Sequence, residues 1–372
     1  MSKPLNLIHI VEDISPISGG VATVVKMLTS EIQEFDINQQ VVCNYASNVD
    51  FAEDIKITTF APSNYGLGWG YNNKLTNFLK SESCKENTIF HIHGVWKAIH
   101  FSSTRLAIKN NIPTLMTLHG MMDPFLWNKQ GILKRIKKDM YWSILSPFFC
   151  EIKNIHAITD LESKHLSARF RKSKISLIPN SMRIDANKLQ HKDIDVNKKY
   201  FLFIGRIAKQ KGLDILIKSF LSIGPKKNLK LKIIGPIEDQ NYWDSLERLI
   251  DSDSIEYLGP KFGKEKKRII ENAWVCVVPS RMEAIGMVNL ESANEFCPSI
   301  TTYQTGLNDW EEGGGLLINA DSIKCCKEAI LKANMWTLKE RISRGLESFK
   351  LVNKKYNIVV TNKSWIELYK SL

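Results

Sequence analysis

Short apolar runs alternate with amphipathic stretches along the whole chain. In the first half, residues 5–11, 40–43, 55–60, 88–92, 114–118 and 154–158 are short, rich in β-branched and aliphatic residues, and end near Gly, His, Pro or Asp. That pattern predicts strands. Stretches 21–35, 75–81 and 102–110 fall between them with helical spacing. The second half repeats the scheme, with strands expected at 199–204, 229–234, 255–258 and 275–278. Helices are expected at 213–220, 242–251, 264–271 and from about 288. Strands alternating with helices imply βαβ units and mainly parallel sheets. Pro179-Asn180 is a turn signal, and the polar run after it lacks apolar periodicity. The junction is placed there, giving domains 1–185 and 186–351. A final helix over 352–372, carrying Trp365, is expected to return to the first domain.

A length of 372 residues suits two such domains. With 44% apolar and 24% charged residues, the composition is that of a globular protein. No apolar run approaches the roughly 20 residues that span a bilayer. The first residues are too polar for a signal peptide and read as an opening strand. The seven cysteines form no C-x-x-C pair, which argues against a disulfide framework. A cytoplasmic protein is expected.

The net charge of +12 is spread over both halves and implies acidic partners. Its sharpest cluster is Lys129, Lys134, Arg135, Lys137 and Lys138, interleaved with Leu126, Trp127, Ile132, Leu133, Ile136, Met140, Tyr141 and Trp142. Residues 126–142 fit an apolar helix face with a cationic flank resting peripherally on an anionic membrane. The same pattern fits a solvated helix packing that face on its own domain. Zinc spacings, ribonucleoprotein motifs and basic zippers are absent, so nucleic acid is not an expected partner.

The chemistry concentrates where strands end. The apolar run to Val278 stops at Pro279, and Ser280-Arg281-Met282-Glu283-Ala284-Ile285-Gly286-Met287 leads into a helix containing Glu291. Were the whole interval helical, the two glutamates would lie about 12 Å apart along the axis. They would then suit the two ends of an extended ligand such as a nucleotide sugar. In Gly205-Arg206-Ile207-Ala208-Lys209-Gln210-Lys211-Gly212, a strand ends beside a forked cation, and a mobile cation precedes the next helix. That pair fits a diphosphate. Gly19-Gly20 follows the first strand and would let backbone approach a ligand. It lacks the spacing of a dinucleotide fingerprint or a P-loop. His119 ends a strand, where its imidazole could donate to a sugar hydroxyl or meet developing charge.

His91 and His93 share one face of a strand, yet no further ligands stand at recognisable spacing. His93 and Gly94 are therefore read as a cleft-lining strand end. Asp193-Ile194-Asp195 lies in the polar linker, so no metal is expected.

The ordered set of Gly19-Gly20, Thr117-Leu118-His119-Gly120, Ile178-Pro179-Asn180, Gly205-Arg206 with Lys211-Gly212, and Glu283 with Glu291 resembles the retaining glycosyltransferases of the GT-B fold, group 1 or family 4. His119-Gly120-Met121-Met122-Asp123-Pro124, followed by a basic-aromatic helix, is similar to members that build bacterial surface polysaccharides. The resemblance implies two Rossmann-like doubly wound domains facing a central cleft. It implies metal-independent, retaining transfer, of hexosyltransferase class, from a nucleotide-diphosphate sugar to a glycan or lipid-linked acceptor. Lipopolysaccharide, capsule and exopolysaccharide synthesis are the implied settings, at the inner face of the cell membrane. By the same resemblance Arg206 and Lys211 grip the diphosphate, Glu283 holds sugar hydroxyls and Glu291 the ribose. Amides around Ile285, Gly286 and Met287 contact the sugar or phosphates. Gly19 and Gly20 let the first domain close on the donor, with His119 near the transferred sugar.

The chain departs from the family pattern at Ala284 and Ile285, where Gly-Phe is usual, at Ser181 after Asn180, and at 296–300. These departures obscure which sugar is carried. A GT-B epimerase or phosphorylase would share the architecture. A non-catalytic nucleotide-sugar-binding or nucleic-acid-binding protein would share the charge but not the glutamate pair.

Overall fold

The computed structural model describes residues 4–15, 20–32, 37–47, 51, 55–62, 69–128, 131–188, 199–224, 229–250 and 254–372. In chain order the elements begin with β1 (Leu5–Asp13), α1 (Gly20–Ile32), β2 (Ile37–Tyr45), β3 (Lys56–Thr59), α2 (Asn73–Glu82), β4 (Thr88–His93) and α3 (Ala98–Lys109). They continue with β5 (Thr114–Thr117), α4 (Pro124–Asn128), α5 (Ile132–Phe149), β6 (Asn154–Ala157), α6 (Asp160–Arg169) and β7 (Lys174–Leu177). Next come β8 (Phe201–Ile204), α7 (Leu213–Leu221), β9 (Leu231–Ile234), α8 (Gln240–Glu247), β10 (Ile255–Tyr257), α9 (Gly263–Glu271) and β11 (Val275–Val278). The last are α10 (Met287–Asn294), β12 (Ser299–Thr302), β13 (Leu316–Ile318), α11 (Ile323–Asn334), α12 (Leu338–Lys355) and α13 (Ile358–Lys370).

Two compact units result, Met1–Asn180 with Ile358–Leu372, and Ser181–Asn357. Unit 1 holds a seven-stranded sheet in the order β3-β2-β1-β4-β5-β6-β7, and unit 2 a six-stranded sheet in the order β10-β9-β8-β11-β12-β13. Every pairing is parallel. Parallel sheets covered on both faces need continuous apolar strands. Accordingly all four residues of β8 and all four of β11 are buried. In each sheet the order reverses at one place, between β1 and β4 and between β8 and β11. Chain crossing away on both sides there opens a crevice at the strands' carboxyl ends, the usual ligand position in such sheets.

The division of the chain falls at Asn180 and at Ile358, not after Asp185 and at Val352. Met182 bridges to Asn357, its amide donates to the Tyr356 carbonyl at 3.0 Å, and Asn357 Nδ2 donates to the Ile184 carbonyl at 3.3 Å. These bonds bind residues 182–184 to the end of α12. The expected single C-terminal helix is broken between Lys355 and Ile358, so 352–355 belong to α12. Helix α13 packs in unit 1, where Trp365 and Tyr369 join a cluster with Leu7, Leu28, Ile89 and Leu115.

Unit 1 also buries histidines. His9, His91, His93, His100 and His156 are each at most 2% exposed. Desolvation holds them neutral: it pushes His9 and His156 down to about 4 and His100 to about 3, and His91 and His93 well below their usual range. An unfolded histidine gains its proton near pH 6.5. Below that pH the unfolded chain binds more protons than the fold, and stability falls as pH drops. The slope is about 1.4 kcal/mol per histidine per pH unit until the folded group titrates. Unit 2's only histidine, His191, lies outside the described residues. Scanning calorimetry at pH 7.5 and 5.5 should show the unit 1 transition falling by about 5 °C or more, with a much smaller shift for unit 2. Equal shifts of both transitions, or none, would contradict neutral burial.

Candidate functional site

In unit 2 the loops after β8 and β11 lie side by side, because those strands are neighbours at the reversal point. Arg281 N donates to the Gln210 carbonyl at 2.8 Å, and Gln210 Nε2 to the Met282 carbonyl at 3.0 Å. Gly212 makes this closeness possible. Its φ is +70°, and a Cβ there would lie 2.1 Å from the Pro279 carbonyl oxygen. No side chain fits, so residue 212 must be glycine for the two turns to touch.

The contact brings Lys211 and Glu283 together. Lys211 Nζ lies 2.5 Å from Glu283 Oε1, with side chains only 15% and 13% exposed. Ser280 Oγ donates to the same carboxylate oxygen at 2.8 Å. Arg206 is on the same loop but 53% exposed, and pairs with Glu238. A surface pair of that kind contributes little and yields readily to a better anion. Glu291, within α10, pairs with Lys266 of α9 at 2.6 Å.

The interval from Glu283 to Glu291 is therefore not one helix. Residues 283–286 form a turn and α10 begins at Met287. Gly286 is enclosed, since a Cβ there would lie 2.4 Å from Asn289 Nδ2. The expected amide set also changes. Gly286 N donates to the Thr305 carbonyl at 3.0 Å and Met287 N to the Ile285 carbonyl at 2.8 Å. Among the described residues, the amides of Ala284, Ile285 and Val288 carry no hydrogen bond. In this turn the amides of Gly286 and Met287 are thus used within the chain, and those of Ala284, Ile285 and Val288 are not. The Ile285 side chain itself is 4% exposed and belongs to the packing.

Sequence reading passed over the clamp behind these groups. Arg281 Nη1 and Nη2 lie 2.8 Å from the two Asp214 carboxylate oxygens, and Arg281 Nε is 2.5 Å from Asp321 Oδ1. Tyr242 Oη donates to Asp214 at 2.6 Å. Burial alone would raise the Asp214 carboxyl, but the bonds from Arg281 and Tyr242 outweigh it and hold it below the usual range. A bidentate pair fixes both partners in angle as well as distance. The start of α7 is so locked to the loop after β11. The signal was present as an acid two residues after Gly212 and an arginine two after Pro279.

In unit 1, Gly19 lies outside the described residues, and Gly20 opens α1. An added Cβ at Gly20 would meet nothing within 4 Å, so packing does not require glycine there. His119 follows β5 with φ +52°, an uncommon conformation for a side-chain-bearing residue. Glu162 of α6 holds the turn, accepting from Gly120 N at 2.6 Å and Ile158 N at 2.8 Å. Burial pushes the Glu162 carboxyl up, and those two amides only partly offset it. His119 is half-buried, with Nε2 3.0 Å from His93 Nδ1.

His93 does not line a strand end open to ligand. It is 1% exposed, with its ring 3.9 Å from that of His91 between centroids. The third histidine that the sequence did not offer is His9, directly opposite His91 across β1 and β4. Nitrogens of His9, His91 and His93 lie within 4.8 Å of one another, close enough to consider a metal. They are instead engaged in hydrogen bonds to Gln39, His119, Thr117, Tyr369 and each other.

Helix α5 is apolar on two opposite faces. Tyr141, Trp142, Leu145 and Phe149 pack into the core of unit 1, and Tyr141 Oη donates to the Val95 carbonyl at 2.6 Å. On the other face Ile132, Ile136, Met140, Ile144 and Phe148 recur every four residues. They are 75%, 56%, 60%, 61% and 39% exposed. Exposed Lys134, Arg135 and Lys137 accompany this stripe. Trp127 is buried and stacked on by Arg169, while Lys138 donates to the Leu126 carbonyl at 2.7 Å. Lys129 lies outside the described residues. The bland expectation, that Ile132, Ile136 and Met140 pack on their own domain, does not hold; the aromatic residues do so instead.

Family comparison agrees with this architecture. The model described as glycosyl transferases group 1 matches residues 198–333, and that described as glycosyltransferase family 4 matches residues 18–185. An uncharacterized 41.2 kDa protein in the cps region of Klebsiella pneumoniae is 23% identical over 99% of this chain and 100% of its own. The capsular polysaccharide biosynthesis glycosyltransferase CapM of Staphylococcus aureus is 31% identical over about half of each chain, 50% and 49%. Among solved structures, Anabaena HepE in complex with UDP and glucose has a TM-score of 0.76 at 13% identity, over 99% of this chain and 100% of that one. With two parallel α/β units and a family match on each, the chain belongs to the group 1 glycosyltransferases of the GT-B fold.

Proposed function

We propose that this glycosyltransferase moves a sugar from a nucleoside-diphosphate sugar to a glycan or lipid-linked acceptor, with retention and without a metal. The setting is synthesis of a bacterial surface polysaccharide at an anionic membrane surface. One observation carries the donor assignment: Arg206, Lys211 and Glu283 converge on adjoining loops at the reversal point of the unit 2 sheet. HepE's complex with UDP and glucose supports a nucleotide sugar, and CapM and the cps-region relative support a surface polysaccharide.

In this reading the bond between the anomeric carbon and the diphosphate breaks, and Arg206 and Lys211 stabilise the charge left on the departing diphosphate. An ammonium has three donors. Lys211 can therefore keep Glu283 while contacting a phosphate oxygen, with Glu283's second oxygen turned to a sugar hydroxyl. The acceptor hydroxyl attacks on the face the diphosphate leaves, and its proton passes to the departing phosphate oxygen. Glu291, released from Lys266 or sharing it, holds the ribose. His119 meets a sugar hydroxyl. With two cations on the diphosphate, the chemistry has its charge stabilisation without a metal.

The exposed stripe of α5 supports the membrane reading. Aliphatic side chains can enter the interfacial region while Lys134, Arg135 and Lys137 stay at the anionic headgroups. No helix among the described residues is long and apolar enough to cross a membrane.

Release of nucleoside diphosphate, measured with and without acceptor, tests the reaction. Lys211→Ala and Arg206→Ala should each lower kcat by about 10²-fold or more. Glu291→Ala should raise the donor KM by about tenfold at little cost to kcat. Near-normal activity of both cation variants would contradict the diphosphate assignment. Sugar-nucleotide conversion without acceptor would favour the epimerase reading. For the membrane, co-sedimentation with vesicles rich in anionic lipid should be lost on changing Ile136, Met140 and Ile144 to Ser. It should weaken with added salt. Unchanged binding would contradict docking through this face.

A further inference from the structure

A line of hydrogen-bonded side chains crosses the core of unit 1, and its direction is fixed at one end. Gln39 Nε2 donates to the Thr29 carbonyl at 3.0 Å, so Gln39 Oε1 is left to accept from His9 Nε2, also at 3.0 Å. A neutral imidazole has one proton. With that proton on Nε2, His9 Nδ1 is bare and accepts from His93 Nε2 at 3.0 Å. His93 Nδ1 is then bare in turn and accepts from His119 Nε2 at 3.0 Å. Each ring is thereby set to its Nε2–H tautomer. The remaining nitrogen of His119, Nδ1, is an acceptor to which no hydrogen bond runs among the described residues.

A second line runs alongside and is directed the same way. The Ile178 carbonyl accepts from His156 Nε2 at 2.7 Å, so His156 Nδ1 accepts from Thr117 Oγ1 at 3.0 Å. Thr117 Oγ1, its proton used, accepts from His91 Nε2 at 2.8 Å, and His91 Nδ1 accepts from the Tyr369 hydroxyl at 2.8 Å. Directed this way, His9 Nε2, His91 Nε2 and His93 Nε2 all carry protons committed to other acceptors. A metal in their midst would have to break both lines.

We propose that Gln39, His9 and His93 are positioning residues that fix the tautomer of His119, so that His119 accepts a hydrogen bond at Nδ1 from a sugar hydroxyl. The inference rests on the reading of His119 as a sugar contact, and it reverses the donor role that the sequence suggested. It also defines a requirement on the substrate. The sugar must present an O–H donor to this nitrogen, so a deoxyfluoro or methyl-ether analogue at that hydroxyl is rejected although a fluorine or ether oxygen could still accept. Positive φ at His119 and the bond from Gly120 N to Glu162 hold the ring where the line ends.

Side-chain ¹H–¹⁵N long-range correlation spectra of the full chain with ¹⁵N-labelled histidine, with the His119 signals identified by their loss in His119→Gln, read the tautomer directly. The wild type should show a bare Nδ1 and a protonated Nε2 at His119. In Gln39→Leu the end acceptor is gone, so all three rings can reverse, and His119 should shift toward the Nδ1–H form. Gln39→Glu keeps the acceptor and should retain the wild-type pattern. Transfer by Gln39→Leu should fall about tenfold, the effect of a lost hydrogen bond, with nucleoside-diphosphate affinity unchanged. A wild-type His119 protonated at Nδ1 would overturn the proposal, whether or not the variant folds. So would an unaltered tautomer in Gln39→Leu, or a stoichiometric metal held by the purified protein. Reversal of the tautomer with transfer unchanged would instead overturn the contact between His119 and the sugar.

Discussion

The approach of Gly212 to the Pro279 carbonyl is the constraint on which the loop cluster at the reversal point of the unit 2 sheet depends. Two turns from neighbouring parallel strands can touch there only because residue 212 has no side chain and accepts a positive φ. Everything charged nearby follows from that contact. Lys211 reaches Glu283, Gln210 bonds to the Met282 carbonyl, and Arg281 crosses to Asp214. The Arg281–Asp214 pair is bidentate and backed by Tyr242, which suits a fixed strut. The Lys211–Glu283 pair is held by fewer bonds, and the Arg206–Glu238 pair is exposed, so these groups are the ones free to exchange partners for a ligand. The same sheet reversal thus supplies a rigid latch and a responsive site.

Unit 1 solves a different problem. Its core contains polar rings that water cannot reach, and burial of unpaired polar groups is costly. Hydrogen bonding them in lines lets His9, His91, His93 and His156 each donate once and accept once while remaining neutral. The lines end at groups with fixed chemistry, an amide at Gln39 and a carbonyl at Ile178, and one reaches the half-buried His119. Helix α13 takes part through Tyr369, which explains how a segment at the far end of the sequence contributes to this core.

Much of this was legible in the sequence. Fully buried parallel strands are short apolar runs, and β1, β4, β8, β9 and β11 stood out for that reason. Edge strands bury less and look polar: β7 reads Lys-Ile-Ser-Leu and is not among the strands the pattern predicts. Ser299–Thr302 (β12) carries Ser and Thr, and only its hydrogen bonds inside unit 2 reveal it as a strand. Arg206, Lys211, Glu283 and Glu291 were found because Gly and Pro mark strand ends. Arg281 and Asp214 were not, since a clamp between segments 67 residues apart leaves no local pattern, and Lys266 stands 25 residues from its partner Glu291. His9 was invisible as a partner of His91 and His93 until β1 and β4 were known to be neighbours. In α5, periodicity located a helix, but a helix apolar on both sides does not say which face is covered.

The most direct test of the account is calorimetric titration with the nucleoside diphosphate that most raises the wild-type melting temperature. If Lys211 is the diphosphate ligand and Glu283 its resting partner, Lys211→Ala should weaken binding by about 10- to 100-fold. Glu283→Gln, which frees the lysine, should bind the nucleoside diphosphate at least as tightly as wild type. Undiminished binding by Lys211→Ala, or equal losses in both variants, would contradict it.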